Sequence, residues 1–455
     1  MNERVDNWLV IHQNDMVRDL RGCLSIHSLK SKAAPGAPFG RDIQDCLDYT
    51  LKLADEMGFY VKDHEGYYGS IEMGEGDETF GILVHLDIVP IGEGWTFDPL
   101  GKDLVDGKLY GRGALDDKGP AIAALYAMKA VSEAGIPLRR KVRLILGCDE
   151  ESGMQCMEYF KKHDVTPDLS ISPDGEFPLT NSEKSIVNAV FERRFQSSIT
   201  VSAGEAANVV PGEAVAFVPI PLADVKDIAE SFGNNSDCSL VLTAKDGGTH
   251  IKVIGSIAHA SMPEEGLNAL QSMFCFLSLL PLEKDDMAIV LSLKEKFKME
   301  YYGQSIGLDK ADVSGRLTLN MGVVRWDETG FALTFDLRCP TSLSSEGIKK
   351  ALCDAMEPTG ALLKHYLFKP GYSLAEDSEI VSKLLNVFKA RTGLDLPPKK
   401  IGGGTYARTL PNAVSFGPDG YLCESSAHVA DEFITIEQLL FNAKILADAI
   451  IALAG

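Results

Sequence analysis

Residues 81–90 read Gly81-Ile-Leu-Val-His-Leu-Asp-Ile-Val-Pro90. Small and apolar residues lead up to His85, and Pro90 closes the run. This is the pattern of a buried β-strand stopped by a residue that cannot donate to a ladder. Residues two apart on a strand face the same way, so His85 and Asp87 project together from its C-terminal end. In α/β proteins such strand ends border the crevice where ligands bind. Taken alone, the pair is as readily a histidine and an aspartate that satisfy each other. The flanking segments have to decide.

Upstream, Val5, Trp8, Leu9, Met16 and Leu20 fall at roughly helical spacing within residues 3–30. A second helix fits 41–57, stopped by Gly58. Residues 59–73 read as a hairpin turning at His64-Glu-Gly, with His64 a solvated turn residue. Downstream, Gly111-Arg-Gly-Ala-Leu-Asp-Asp-Lys-Gly119 is a glycine-rich turn leading into a helix over 121–134, with Pro120 near its start. Its glycines do not complete a dinucleotide fingerprint. Asp116 there could be a helix cap. A strand over 142–147 ends in Cys148-Asp-Glu-Glu-Ser, where Glu150 and Glu151 repel unless something compensates them. A short strand within 168–176 ends at Asp174. Strands alternating with helices predict a parallel or mixed sheet with helices on both faces. Successive segments thus deliver His85 and Asp87, Asp116, Glu150 and Glu151, and Asp174 to one edge. Helix capping explains one such acid, not the series.

From about residue 185 the texture changes. Strands around 187–201 and 214–218 flank Asn208-Val-Val-Pro. A strand begins at His250, and Ala258-His-Ala-Ser-Met-Pro263 leads into a helix ending near Leu279. Segments 317–324 and 331–338 pair across Trp326-Asp-Glu-Thr-Gly, and a helix covers 345–356. From about 380 the first texture returns: a helix over 380–392, a loop holding Gly402-Gly-Gly404, a strand from Ala413, the loop Ser426-Ala-His-Val-Ala-Asp-Glu432 and a closing helix. The expected fold is an α/β domain with a mostly parallel sheet flanked by helices, built from 1–184 and 380–455. An α+β domain, 185–379, is inserted into it.

The formal net charge of −21 excludes nucleic acid and anionic membranes as partners, since both require a basic face. Nine cysteines are scattered without a CxxC pair, the pattern of reduced thiols in a cytoplasmic protein. The N-terminus lacks a signal-peptide core. The near-apolar run 273–282 is too short to span a bilayer.

Two imidazoles, His85 and His428, with several carboxylates suit zinc or a related first-row divalent ion. Acids gathered at one edge repel without cations, and metal binding removes that repulsion. Two ions sharing one carboxylate and one water would polarise a carbonyl and acidify the water. A free carboxylate beside that water would be the general base. The adjacent glutamates suit a division of roles, one bound to metal and one free. Asp87 would hold the other ring nitrogen of His85.

His85-Leu-Asp87, the 111–119 turn, Asp149-Glu-Glu151, Ser172-Pro-Asp174 and the late His428 together resemble the M20 metallopeptidase family. Within it, the chain is similar to bacterial dipeptidases that cleave dipeptides, including carnosine-like Xaa-His. The resemblance runs in order along nearly the whole chain. It implies a zinc-peptidase-like catalytic domain with an inserted lid, and two Zn²⁺ per chain, with Mn²⁺ or Co²⁺ as substitutes. Asp116 would bridge the ions, His85 and Asp174 completing one site, Glu151 and His428 the other. Glu150 would be the general base, and Asp87 the partner of His85. On the lid, Asn208 and His259 would reach the substrate, with His259 stabilising the tetrahedral oxyanion. Arg338 would grip the substrate carboxylate, helped by backbone N–H groups of Gly402, Gly403, Gly404 and Thr405.

Without the resemblance, His259 reads as a loop histidine and Arg338 as a surface ion pair. His12, His27, His163, His250 and His365 carry no role. Ser185 stands where relatives usually have glycine, and Ala114-Leu115 replaces smaller residues. Both bear on substrate detail, not on ligands. The alternatives are an N-acyl amino acid deacylase of the same family and a non-catalytic metal or peptide binder. The large second domain favours a dipeptidase acting as a monomer on a small dipeptide.

Overall fold

The computed structural model describes residues 1–233, 236–422 and 425–455. The chain divides into two compact units. Unit 1 comprises Met1–Asn181, Leu374–Lys399 and Gly404–Gly455; unit 2 comprises Ser182–Ser373 and Lys400–Gly403. Residues 400–403, expected with the flanking segments, cluster with unit 2. No helix among the described residues is long and apolar enough to cross a membrane. Cys423 lies outside the described residues; the other cysteines are free thiols.

Unit 1 is built on a sheet whose main strands are β1 (Tyr60–His64), β2 (Tyr68–Met73), β3 (Thr79–His85), β4 (Lys141–Gly147), β5 (Leu169–Ser172), β6 (Thr180–Glu183) and β7 (Ala413–Ser415). Their spatial order is β1-β2-β4-β3-β5-β7-β6. The centre, β4-β3-β5-β7, is parallel, and the flanks are antiparallel. Parallel strands covered on both faces read as continuous apolar runs, and β3 is buried from Phe80 to His85. It lies between β4 and β5, so the acids that follow those neighbours arrive beside His85.

Helices α1 (Glu3–Ile11), α2 (Gln13–Leu24), α3 (Arg41–Glu56), α4 (Lys118–Glu133), α5 (Gln155–His163), α6 (Glu379–Thr392) and α7 (Ile436–Ala454) complete this unit. The alanine-rich α4 is buried almost throughout, packed against α7, α2 and β3. Small side chains permit that close approach and favour the helix. Pro120 sits in its first turn, where a missing N–H costs nothing. Lys118, fully buried, donates to the carbonyls of Cys23 (3.2 Å) and Ile26 (2.7 Å) at the end of α2. A cation there satisfies orphan carbonyls and complements the helix dipole.

Two local expectations need correction. Residues 3–24 form two helices, broken at His12, whose ring stacks on Trp8 at 3.9 Å. His64 is not a solvated turn residue: it stacks on Tyr68 and meets Ser70 Oγ at 3.0 Å. The segment before the 111–119 turn, to which the sequence reading gave no strand, stands outside the main sheet. Lys108–Tyr110 pairs instead with Leu104–Val105 and Phe433–Thr435 in a small sheet.

Unit 2 carries an eight-stranded sheet in the order Ser239–Lys245, Gly248–Ile254, Glu213–Val218, Thr200–Ala203, Thr318–Asp327, Gly330–Cys339, Ser185–Arg194, Leu362–Lys369. Every pairing is antiparallel. Strand 185–194 alternates buried and half-buried residues, the signature of one face turned to a core. Helices Ala269–Leu277 and Ser345–Met356 pack there, with Leu222–Gly233 and Lys284–Phe297, which the sequence reading did not anticipate.

Candidate metal centre

Asp116 sits on the turn between the small sheet and α4, and its two carboxylate oxygens face two different histidines. Oδ1 lies 2.8 Å from Nε2 of His85, and Oδ2 lies 2.9 Å from Nε2 of His428. Glu151 Oε1 is 3.0 Å from the same nitrogen of His428. Two pockets result: His85, Asp116 and Asp174 offer ligand atoms within 4.8 Å of one another, and so do Asp116, Glu151 and His428.

The chemistry of this donor set calls for cations. His85 Nδ1 lies 2.9 Å from the carbonyl oxygen of Asp87, an acceptor, so that nitrogen carries the proton. Nε2 of a neutral His85 would then point a lone pair at the carboxylate of Asp116. Without a metal, only a second proton reconciles the two. Burial opposes charge on His85, but Asp116 and Asp87 outweigh it and hold its pKa well above the usual histidine value. Asp116 and Glu151 likewise raise His428 to about 10. Burial works against the ionised Asp116, yet the two histidines hold its pKa well below the carboxylate range. Protonated imidazoles thus do the electrostatic work that divalent ions would do. The residues present fit a divalent cation in each pocket.

Glu150 differs from its neighbour. Its Oε1 is buried and has no hydrogen-bond partner in the described structure. Burial, then the nearby Asp174, pushes its pKa well above the ordinary glutamate value. It is a carboxylate disposed to take a proton.

Asp87 does more than was expected of it. Its carboxylate is 3.6 Å from His85 Nδ1, outside good hydrogen-bond range, while its carbonyl makes the close contact. The carboxylate instead accepts from the backbone N–H groups of Glu150 (3.0 Å) and Glu151 (3.1 Å). One residue therefore orients His85 and fixes both glutamates. Asp117, fully buried, accepts from the backbone N–H of His85 at 3.1 Å. His428 adopts a left-handed backbone, φ 64°, which a non-glycine residue holds only when its surroundings impose it.

Two neighbours escaped the sequence reading. Glu432, fully buried, receives N–H groups from the 113–116 turn and pairs with Arg112 Nη1 at 2.6 Å. Asp149 is held by Lys30 Nζ at 2.5 Å and caps Gln155 N. Both depend on partners far away in sequence.

The expected substrate residues fall mostly in unit 2. Asn208, His259, Arg338 and Gly403 belong to it, as does Gly402; Gly404 and Thr405 belong to unit 1. The carbonyl of Asn208 accepts from Ala260 N, next to His259. His259 is exposed. Ser261 N donates to its Nδ1 at 3.2 Å, and Ser261 Oγ lies 2.6 Å from the same atom. A backbone N–H can only donate, so Nδ1 is the acceptor and Nε2 carries the proton. Although the residue is exposed, partial desolvation of its ring and the nearby Arg338 lower its pKa, favouring the neutral form. Arg338 is no surface ion pair: it is 6% exposed. Its Nε and Nη2 grip Asp336 at 2.7 and 3.2 Å, and Nη1 reaches Gly402 O at 2.7 Å. Asp336 was readable from sequence, since residues two apart share a strand face. Thr405 Oγ1 caps Ala407 N and meets Ser415 Oγ at 2.8 Å.

A model of peptidase family M20/M25/M40 matches residues 81–452. The Bacillus subtilis (strain 168) protein named "Putative dipeptidase YtjP" is 34% identical over 98% of this chain and 100% of its own length. Human carnosine dipeptidase 1 shares the fold at TM-score 0.59 and 16% identity, over 99% of both chains. So does the aminoacylhistidine dipeptidase of Vibrio alginolyticus, at TM-score 0.58 and 15% identity over 96% of both.

Proposed function

The chain belongs to peptidase family M20/M25/M40, and from that premise we propose that it is a dinuclear zinc dipeptidase whose substrates include Xaa-His dipeptides. The observation that carries this reading is Asp116, whose two oxygens each face a histidine Nε2 with a further carboxylate within reach. Support for dipeptides comes from the relative named a dipeptidase along its full length. Support for Xaa-His comes from the shared fold of carnosine and aminoacylhistidine dipeptidases.

His85, Asp116 and Asp174 would hold one ion; Asp116, Glu151 and His428 the other. Zinc suits this mixture of imidazole and carboxylate, with Mn²⁺ or Co²⁺ as substitutes. Bound there, the pair would polarise the scissile carbonyl and acidify a water held between them. Glu150 takes the proton of the attacking water and passes it to the leaving amine, a task its raised pKa suits. Asp87 keeps Glu150 and Glu151 in register through their backbone N–H groups. His259 offers Nε2–H to the oxyanion as charge develops on it. Arg338 binds the carboxylate end of the dipeptide with its remaining N–H groups, assisted by backbone N–H groups of Gly403 and Gly404. Asn208 contributes a side-chain amide. The chain works as a monomer in the cytoplasm.

The test is a panel of dipeptides and N-acyl amino acids assayed on chelator-stripped protein, with and without added Zn²⁺ or Mn²⁺. Hydrolysis of dipeptides only with metal is expected. Activity on acyl amino acids alone would replace the reading with a deacylase. Two bound ions without turnover would leave a binding protein. Sedimentation decides the monomer.

A further inference from the structure

The geometry points to Glu432 as a positioning residue that sets the spacing of the second cation pocket by clamping the Asp116 turn to the His428 segment; this rests on the two-cation reading above. Glu432 lies four residues after His428 and is fully buried. Its Oε1 accepts from the backbone N–H groups of Gly113 (2.9 Å), Leu115 (3.0 Å) and Asp116 itself (3.3 Å). Its Oε2 takes Arg112 Nη1 at 2.6 Å, and its own carbonyl accepts from Gly111 N at 2.9 Å.

Convergent N–H groups make an anion-binding concavity. Here the anion is a side chain of this protein, and the concavity is the turn that presents the shared ligand. Arg112 continues the tie, reaching Ile91 O at 3.3 Å and lying over the Trp95 ring. The preceding Asp431 repeats the device on a smaller scale, accepting from Thr96 N (2.7 Å) and Phe97 N (3.1 Å). Residues 428–432 therefore carry a ligand at one end and, at the other, two carboxylates that bind the loops around it. Asp116 Oδ2 and His428 Nε2 sit 2.9 Å apart although their residues lie far apart in sequence. Within the 428–432 segment, Glu432 bonds the backbone of the turn whose Asp116 side chain His428 meets. The first pocket draws its other ligands from the sheet edge, at the end of β3 and beyond β5, so the clamp reaches it only through the shared Asp116.

Glu432→Asp keeps the charge and shortens the reach by one methylene. Zn²⁺ would be titrated calorimetrically into chelator-stripped protein, and Co²⁺ loading followed by visible absorption. In the variant, the ion of the second pocket is expected to bind at least about tenfold more weakly, with its Co²⁺ band altered, while the other, which meets the clamped turn only at Asp116, is weakened less. A residue that merely stabilises the fold would lower the melting temperature and leave both affinities and the spectrum alone; that result overturns the clamp. Should the variant fail to fold, amide exchange on the wild-type chain decides. Zn²⁺ must then slow exchange at Gly113, Leu115, Asp116 and residues 428–432 together, and protection of one group without the other overturns the clamp. A wild-type chain that takes up fewer than two ions refutes the dinuclear reading beneath it.

Discussion

Replacing Glu150 by glutamine tests the division of labour at the centre. The change is isosteric, and the residue is anchored to Asp87 through its backbone N–H, which the substitution leaves intact. The proposed ligands His85, Asp116, Glu151, Asp174 and His428 are untouched. The loss should therefore fall on proton transfer alone. General-base catalysis is worth about 10²–10⁴-fold. A group that serves first as base and then as acid toward the leaving amine belongs at the upper end. A fall in kcat of about 10³–10⁴ corresponds to about 4–5.5 kcal/mol of barrier. Stability should move the other way. The buried carboxylate lies near Asp174, Glu151 and Asp116, all of which disfavour its charge. Removing that charge leaves the metal-free melting temperature unchanged or higher. The assay is steady-state hydrolysis of a dipeptide, with metal content by elemental analysis and melting by calorimetry. A kcat within about tenfold of wild type would refute the base assignment. Loss of one metal ion would show that Glu150, not Glu151 alone, is a ligand.

Other consequences are as direct. The pKa of His428 in the fold, about 10, lies above that of a free histidine. Its ion pairs therefore stabilise the metal-free chain fully below about pH 6.5, and that contribution disappears as pH rises through about 10. The melting temperature of stripped protein should fall from pH 7 to pH 10. Zn²⁺ added at pH 8 should release protons, measured in weakly buffered solution, and their absence would mean the imidazoles are neutral. Asp336→Ala removes the carboxylate that orients Arg338, a charged hydrogen-bond pair worth about 1.5–3 kcal/mol. KM for dipeptides should rise about 10–150-fold with both metals retained, and an unchanged KM would detach Arg338 from the substrate. Gly322→Ala would put a Cβ 2.3 Å from Ala207 O, one residue before Asn208. Displacing that loop should lower kcat/KM by about 10²-fold at unchanged metal content.

Four of the proposed ligands, His85, Asp116, Glu151 and Asp174, were legible because each follows a locally readable segment, an apolar strand or a glycine-rich turn; His428, in a polar loop, was placed with them by the family resemblance. The parallel sheet followed from alternation of those segments with helices. What was hidden is what is non-local. Glu432 looks like any acid in a polar loop until the turn it holds is brought beside it. Asp87 was given one partner because period-two reasoning sees only its own strand, while its carboxylate serves backbone N–H groups beyond the next strand over. Asp336, by contrast, could have been found from that same periodicity. The helix 284–297 passed unread although Ile289, Val290, Leu293 and Phe297 face its core.

Strand β7 lies between β5 and β6, both of which precede it by more than half the chain. On a ribosome working at about 5–20 residues per second, the interval between Asp174 and His428 lasts roughly ten to fifty seconds. Throughout it the three donors of the first pocket have been synthesised, while β7 and His428 have not. On the two-cation reading, the second pocket is complete only when the last segment of synthesis supplies β7 and His428.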